Sequence, residues 1–143
     1  MEKELLDNKK DLLLKDLCAR LPYGVIVNVK GFDFDFKDKL TQIYNRGYGC
    51  SIQVTNNMPY GIEQVKPYLF PLSSMTEEQK SELSRFCNCT IYVTNWNFRF
   101  PDYVQNTMNN WEKAFTWLNK HHFDYRGLIE WGLAIDATGL NIY

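Results

Sequence analysis

Apolar residues recur at helical spacing in two stretches of the chain. Near the N-terminus Leu14, Leu17, Cys18 and Leu21 fall at i, i+3, i+4 and i+7, with Leu12 and Leu13 beside them. Lys9, Lys10, Asp11, Lys15 and Asp16 supply the wet face. Pro22 ends the pattern, because proline disfavours a helical conformation in the residue before it. The prediction is a helix over residues 7–20. In the C-terminal third Val104, Met108, Trp111, Phe115 and Leu118 step by four, three, four and three. Pro101 and Asp102 precede them as helix-start residues. This predicts a long amphipathic helix over residues 104–120, with its stripe on the core and Trp111 and Phe115 buried.

Between these stretches the pattern changes to period two. YGVIVNVK (23–30) reads as a strand rich in β-branched residues. FDFDF (32–36) alternates without a break, which predicts three rings on one face and Asp33 and Asp35 on a solvated face, in preference to a cation site. Residues 40–44 and 50–55 are further strands, joined through a hairpin turn at Arg46-Gly47-Tyr48-Gly49. That G-x-G lacks the third glycine and following helix of a phosphate loop. Residues 56–61 read as a loop. VKPYLFPL (65–72) holds two prolines, so the expectation is an extended connector rather than a central strand. Thr76 with Gln79, or Ser74 with Glu77, forms a capping box, and Glu77 and Glu78 suit the first turn of a short surface helix reaching about residue 86. Its stripe is thin: Met75, Leu83 and Phe86. Residues 89–94 read as a strand, 95–99 as a loop, and 128–137 as a helical turn followed by a strand.

The fold class this predicts is α+β. It comprises a small antiparallel sheet curled toward a barrel, an N-terminal helix, a short middle helix and a long C-terminal amphipathic helix. Neither an internal repeat nor a low-complexity linker divides the chain. The expectation is one domain over residues 1–143, with a helix-plus-sheet part (1–72) and a helical part carrying the C-terminal segment (73–143).

Composition narrows the function classes. The chain has 143 residues, 45% of them hydrophobic, which suffices for a core. Net charge is −1, about +1 up to Leu72 and −2 after it, with no block of one sign. A nucleic-acid binder usually shows a basic stripe, so this balance disfavours nucleic acid. No apolar run reaches membrane-spanning length and MEKELLDNKK has no signal-peptide core, so a cytoplasmic protein without a membrane partner is expected. Cys18, Cys50, Cys87 and Cys89 are then expected as free thiols.

Acid–base residues crowd at one place only. His121, His122, Asp124, Tyr125 and Arg126 combine a base, an orienting carboxylate and an anion-binding guanidinium, the parts a small hydrolase or transferase would use. The preferred reading is structural: histidines near a helix C-terminus meet its carbonyls and dipole, and Asp124 and Arg126 hold the turn that Gly127 permits. Cys87-Asn88-Cys89 with the two histidines does not match zinc spacing, so neither metal nor cofactor is expected. Aromatic loops carry Tyr44, Tyr48, Tyr60, Trp96, Phe98 and Phe100, interleaved with Arg46 and Arg99. Such residues anchor protein interfaces and also stack on single-stranded bases. With charge near zero a protein partner is preferred, and Tyr48, Tyr60, Trp96, Phe98 and Arg99 are the expected contacts.

Three stretches, LLLKDLCARLPYGV (12–25), KPYLFPLSSMTEEQ (66–79) and HHFDYRGLIEWGLAIDATGLNIY (121–143), together resemble a family of small proteins from gut anaerobes of the Bacteroides group and their phages or prophages. They cover about a third of the chain. The resemblance implies a cytoplasmic, mobile-element context and assigns no residue a role. The expectation is therefore a non-enzymatic, macromolecule-binding accessory protein. A small-sheet nucleic-acid module and an enzyme using the histidine cluster are the alternatives.

Overall fold

A computed structural model describes residues 1–47, 49–95, 97–100 and 108–143. Helix α1 spans Glu2–Arg20 and closes in a 3₁₀ turn at Leu21–Tyr23, with Pro22 inside that turn. Its buried face is Leu13, Asp16, Leu17 and Arg20, which is i, i+3, i+4 and i+7 displaced by one residue from the expected stripe. Cys18 is exposed, and Asp16, expected on the wet face, is fully buried.

The strands that follow are β1 (Ile26–Lys30), β2 (Asp35–Asn45), β3 (Cys50–Val54), β4 (Pro59–Gly61) and β5 (Val65–Pro71). Residues 35–45 form one strand where two were expected, with a register irregularity between Leu40 and Gln42. Helix α2 (Glu77–Cys87) starts at the expected capping box: Gln79 N–H donates to Thr76 Oγ1 at 3.1 Å, and Thr76 N–H donates to Gln79 Oε1 at 2.9 Å. Leu83 and Cys87 are its buried residues, while Phe86 is exposed, so the thin stripe is rotated by one position. The short strands β6 (Tyr92–Val93) and β7 (Phe98–Arg99) pair as a hairpin. Helix α3 is described over Met108–Lys120; the expected start at Val104, with Pro101 and Asp102, lies outside the described residues. Strands β8 (Phe123–Asp124) and β9 (Ile135–Asp136) complete the chain.

The sheet runs β4-β3-β2-β1-β5-β8, with β9 also on β5. Among the described residues it is open, since β4 at one edge and β8 and β9 at the other do not meet; the barrel-like curl is not formed. Strand β5 lies inside the sheet, antiparallel to β1 and parallel to β8 and β9, so the proline-rich segment is not a mere connector. The register explains the tolerance. Tyr143 Oη accepts from Ile26 N–H at 3.1 Å and donates to Tyr68 C=O at 2.7 Å, so these two groups face each other across the β1/β5 gap. Antiparallel partners alternate between facing and outward-pointing amides. Val27/Pro67 is the intervening pair, and the missing proline N–H takes nothing from the β1 ladder.

Apolar side chains form two clusters. One joins Leu13 and Leu17 of α1 to the inner sheet face (Val25, Val27, Val29, Leu40, Ile52, Val54, Val65, Leu69) and takes in Leu128 and Ala134 from the C-terminal segment. The other gathers Leu72, Met75, Leu83, Phe98, Trp117, Leu118 and Phe123 around α2 and α3. Trp111 and Phe115 pack on it half-buried; the fully buried ring of α3 is Trp117.

Candidate binding surfaces

The acid–base tract forms the hub of a hydrogen-bonded network that is buried at Asp16, Arg20, His122 and Asp124. Arg20 donates from Nε to Asp16 Oδ2 at 2.8 Å and from an Nη atom to Phe123 C=O at 2.7 Å. Arg126 donates to Asp16 Oδ1 at 3.0 Å and to Tyr125 Oη at 2.6 Å, and Tyr125 Oη donates on to Asn119 Oδ1 at 2.9 Å. Both guanidiniums also lie against the Tyr125 ring, 5.4 Å and 4.6 Å from its centroid. Asp16 thus holds two arginines, one from its own helix and one from 110 residues away. Both oxygens of Asp124 are taken by backbone amides, Leu128 N–H at 3.0 Å and Ile129 N–H at 2.9 Å. Asp124 therefore holds the turn after α3, as expected. Arg126 does not: its partner is Asp16 of α1.

The histidines are engaged separately. His122 sits in the left-handed region (φ 64°) at the end of α3 and stacks on Tyr143, 3.7 Å between centroids at 8°. Burial, reinforced by Arg20 and then His121, pushes His122 down to about 4 from the ordinary 6.5. His121 lies against Trp117 and 3.7 Å from Glu82; burial lowers its pKa, and Glu82 opposes that. Buried, held neutral and stacked on Tyr143, His122 acts as a packing residue. Among the described residues no group of three or more His, Cys, Asp and Glu side chains converges to hold a metal.

The expected aromatic contacts separate as well. Phe98 is 4% exposed, packed against Phe100, Trp111 and Phe115, so it is a core ring and cannot meet a partner. Strand β7 carries it into the second cluster. Arg99 is exposed over the Tyr92 ring at 4.9 Å. Tyr60 is half-buried and lines an open groove of about 570 Å³ between α1 and β3–β4. Lys10 and Arg46 face Asp11 and Glu63 there, which leaves no charge preference. Tyr48 and Trp96 lie outside the described residues.

Two surfaces emerge that sequence reasoning missed. The first is the outer face of the sheet. Cross-strand partners share a face. Asn28 is opposite Lys37 on β2 and Lys66 on β5, Ile26 is opposite Lys39, and Lys30 is opposite Asp35. Lys30, Lys37, Lys39 and Lys66 are all exposed on that face, against one carboxylate, Asp35. Among the described residues none of the four lysines has an ion-pair partner. A chain of net charge −1 thus presents a local +3. The available signal was the alternation of Lys37 and Lys39 with Phe36, Asp38 and Leu40; Lys30 and Lys66 join them only through strand pairing.

The second is the β1–β2 hairpin tip. Only Asp35 and Phe36 of FDFDF are in strand; Phe32, Asp33 and Phe34 form the turn. Phe32 is fully exposed and Phe34 is 72% exposed. A Cβ on Gly31 would lie 2.5 Å from the Phe34 carbonyl oxygen, so the tight turn depends on glycine. Phe34 leans edge-on against Phe36 (6.4 Å between centroids), and Phe36 against Tyr60 (5.9 Å). Two phenylalanines left in water each forgo about 1.5–3 kcal/mol of burial.

No family model, curated protein or solved structure matches this chain.

Proposed function

We propose that the protein is a non-enzymatic binding module that holds nucleic acid on the outer face of its sheet. The observation that carries this reading is the cluster of Lys30, Lys37, Lys39 and Lys66 on one solvent-facing surface, gathered by strand pairing from positions that look unremarkable in the linear chain. Phosphates take such cations in exchange for condensed counterions, which makes binding favourable and salt-dependent. The sequence alone favours a protein partner because its charge is spread evenly. The folded surface instead carries a charge pattern that complements a polyanion. An enzyme built on His121, His122, Asp124 and Arg126 is not supported, since His122 and Asp124 are buried and Asp16, Tyr125 and backbone amides engage the polar groups of Asp124 and Arg126. Binding of nucleic acid suits the phage or prophage context that the resemblance implies.

The test is fluorescence anisotropy with labelled oligonucleotides over a salt series. Four phosphate contacts predict a slope of log K against log salt of about −3 to −4. Lys37→Gln/Lys39→Gln should halve that slope and leave the melting temperature unchanged, because both side chains are exposed. Binding that ignores salt, or is untouched by this variant, would sink the proposal. A protein partner is the second reading, favoured by the exposed rings of Phe32 and Phe34, since aromatic residues anchor protein interfaces.

A further inference from the structure

We infer that the protein pairs with a second copy of itself along the free edge of β2, antiparallel about Phe36, so that two sheets become one. This inference stands apart from the nucleic-acid reading. The two sides of β2 are used unevenly. Strand β1 covers one side over residues 35–39, and β3 covers the other only from Leu40 onward. Beside residues 35–39 the β3 side is therefore an edge. The phenol of Tyr143 shows which backbone groups point out of it. Ile26 N–H donates to that phenol on the β5 side of β1, so the amides of Val27 and Val29 point to β2, and their partners Asp38 and Phe36 point back. The N–H and C=O groups of Asp35 and Lys37 then point outward, where no partner meets them among the described residues.

An unpaired edge is a template for another strand. Edges that avoid pairing carry lysine or proline; this one carries both signs of charge, in an order that suits a two-fold axis. In antiparallel pairing about Phe36, Asp35 lies opposite the partner's Lys37, and by symmetry Lys37 lies opposite the partner's Asp35. Both side chains are exposed, and neither has an ion-pair partner among the described residues. The other registers along the edge fail. Pairing about Lys37 or Lys39 sets lysine against lysine, pairing about Asp35 sets aspartate against aspartate, and pairing about Asp38 sets Lys37 against the partner's Lys39. Like charges directly opposite are destabilising. About Phe36 the outward backbone groups of Asp35 and Lys37 also meet as hydrogen-bonded pairs. Phe34 lies one residue before the strand and comes against the partner's edge, where its 72% exposed ring leaves water. Directly opposite residues share a face, so the lysine surfaces of the two copies join into one.

Sedimentation velocity of the full chain without nucleic acid, over about 10 μM to 1 mM, tests the pairing in the range a small interface requires. Wild type should pass from monomer to dimer across the series. Asp35→Lys and Lys37→Asp each set like charges opposite at both ends of the pairing and should weaken dimerisation at least about tenfold. The two changes combined exchange the charges and should restore it. Thermal melting checks that each variant folds. Amide exchange at Asp35 and Lys37 should slow as the wild-type concentration rises. Wild type that stays monomeric at the highest concentration overturns the inference. Association that the single changes leave intact, or that the combined change fails to restore, overturns it as well, because the contact then lies elsewhere.

Discussion

His122 shows how one side chain makes stability depend on pH. In the unfolded chain it titrates at the ordinary 6.5; in the fold burial holds it down at about 4. As pH falls the unfolded state takes up the proton first, so stability is full above about 6.5 and declines toward 4. The total loss across that window is on the order of 3 kcal/mol. His121 shifts in the same direction and adds to the slope. His122→Asn keeps a residue type that tolerates the left-handed backbone at φ 64° and removes the titration. Urea midpoints measured between about pH 4 and 7 should then show a flatter profile for the variant than for wild type. A catalytic base at this position would predict a different signature, normal acid stability with a lost activity.

At the scale of the element, β5 is the strand most at odds with local rules. Two prolines sit in it, yet it has neighbours on both sides. It is accommodated because Pro67 falls at a pair that makes no ladder bond to β1, and because the phenol of Tyr143 fills the next gap. About half of Tyr143 remains exposed, but its hydroxyl is occupied on both sides, and burial pushes its pKa up to about 12. Tyr143→Phe strips partners from Ile26 N–H and Tyr68 C=O while keeping the stack on His122. A loss of about 1–3 kcal/mol is expected, read by chemical denaturation. A wild-type midpoint would show that solvent replaces the phenol there. The α2 capping box needed no such help and was legible, since its partners are three residues apart. The FDFDF alternation misled because period two describes a pleat only when the chain stays extended, and Gly31 turns it.

Across the whole molecule, Asp16 joins the two apolar clusters. Its helix packs on the sheet cluster, while Arg20 reaches the Phe123 carbonyl in the second cluster and Arg126 comes from the segment between them. Asp16→Ala leaves Arg20 buried without its carboxylate, and about 3–5 kcal/mol should be lost. Arg126→Ala leaves the Asp16–Arg20 pair intact, and with Arg126 itself 24% exposed the loss should be smaller, about 1–3 kcal/mol. Equal costs for the two variants would contradict the hub role of Asp16.

Local patterning determined the α+β class, the N-terminal helix stopped at Pro22, the Thr76 cap, and the Asp124 turn after α3. Each depends on residues within a few positions of one another, where backbone sterics and short hydrogen bonds decide. What pairs with Arg126, where Asp16 points, why a proline-bearing strand is interior, and how Lys30, Lys37, Lys39 and Lys66 come to share a face depended on the tertiary structure. Those contacts join residues tens to more than a hundred positions apart. Neither composition nor periodicity carries their register; strand pairing and helix docking set it by burying two cores at once.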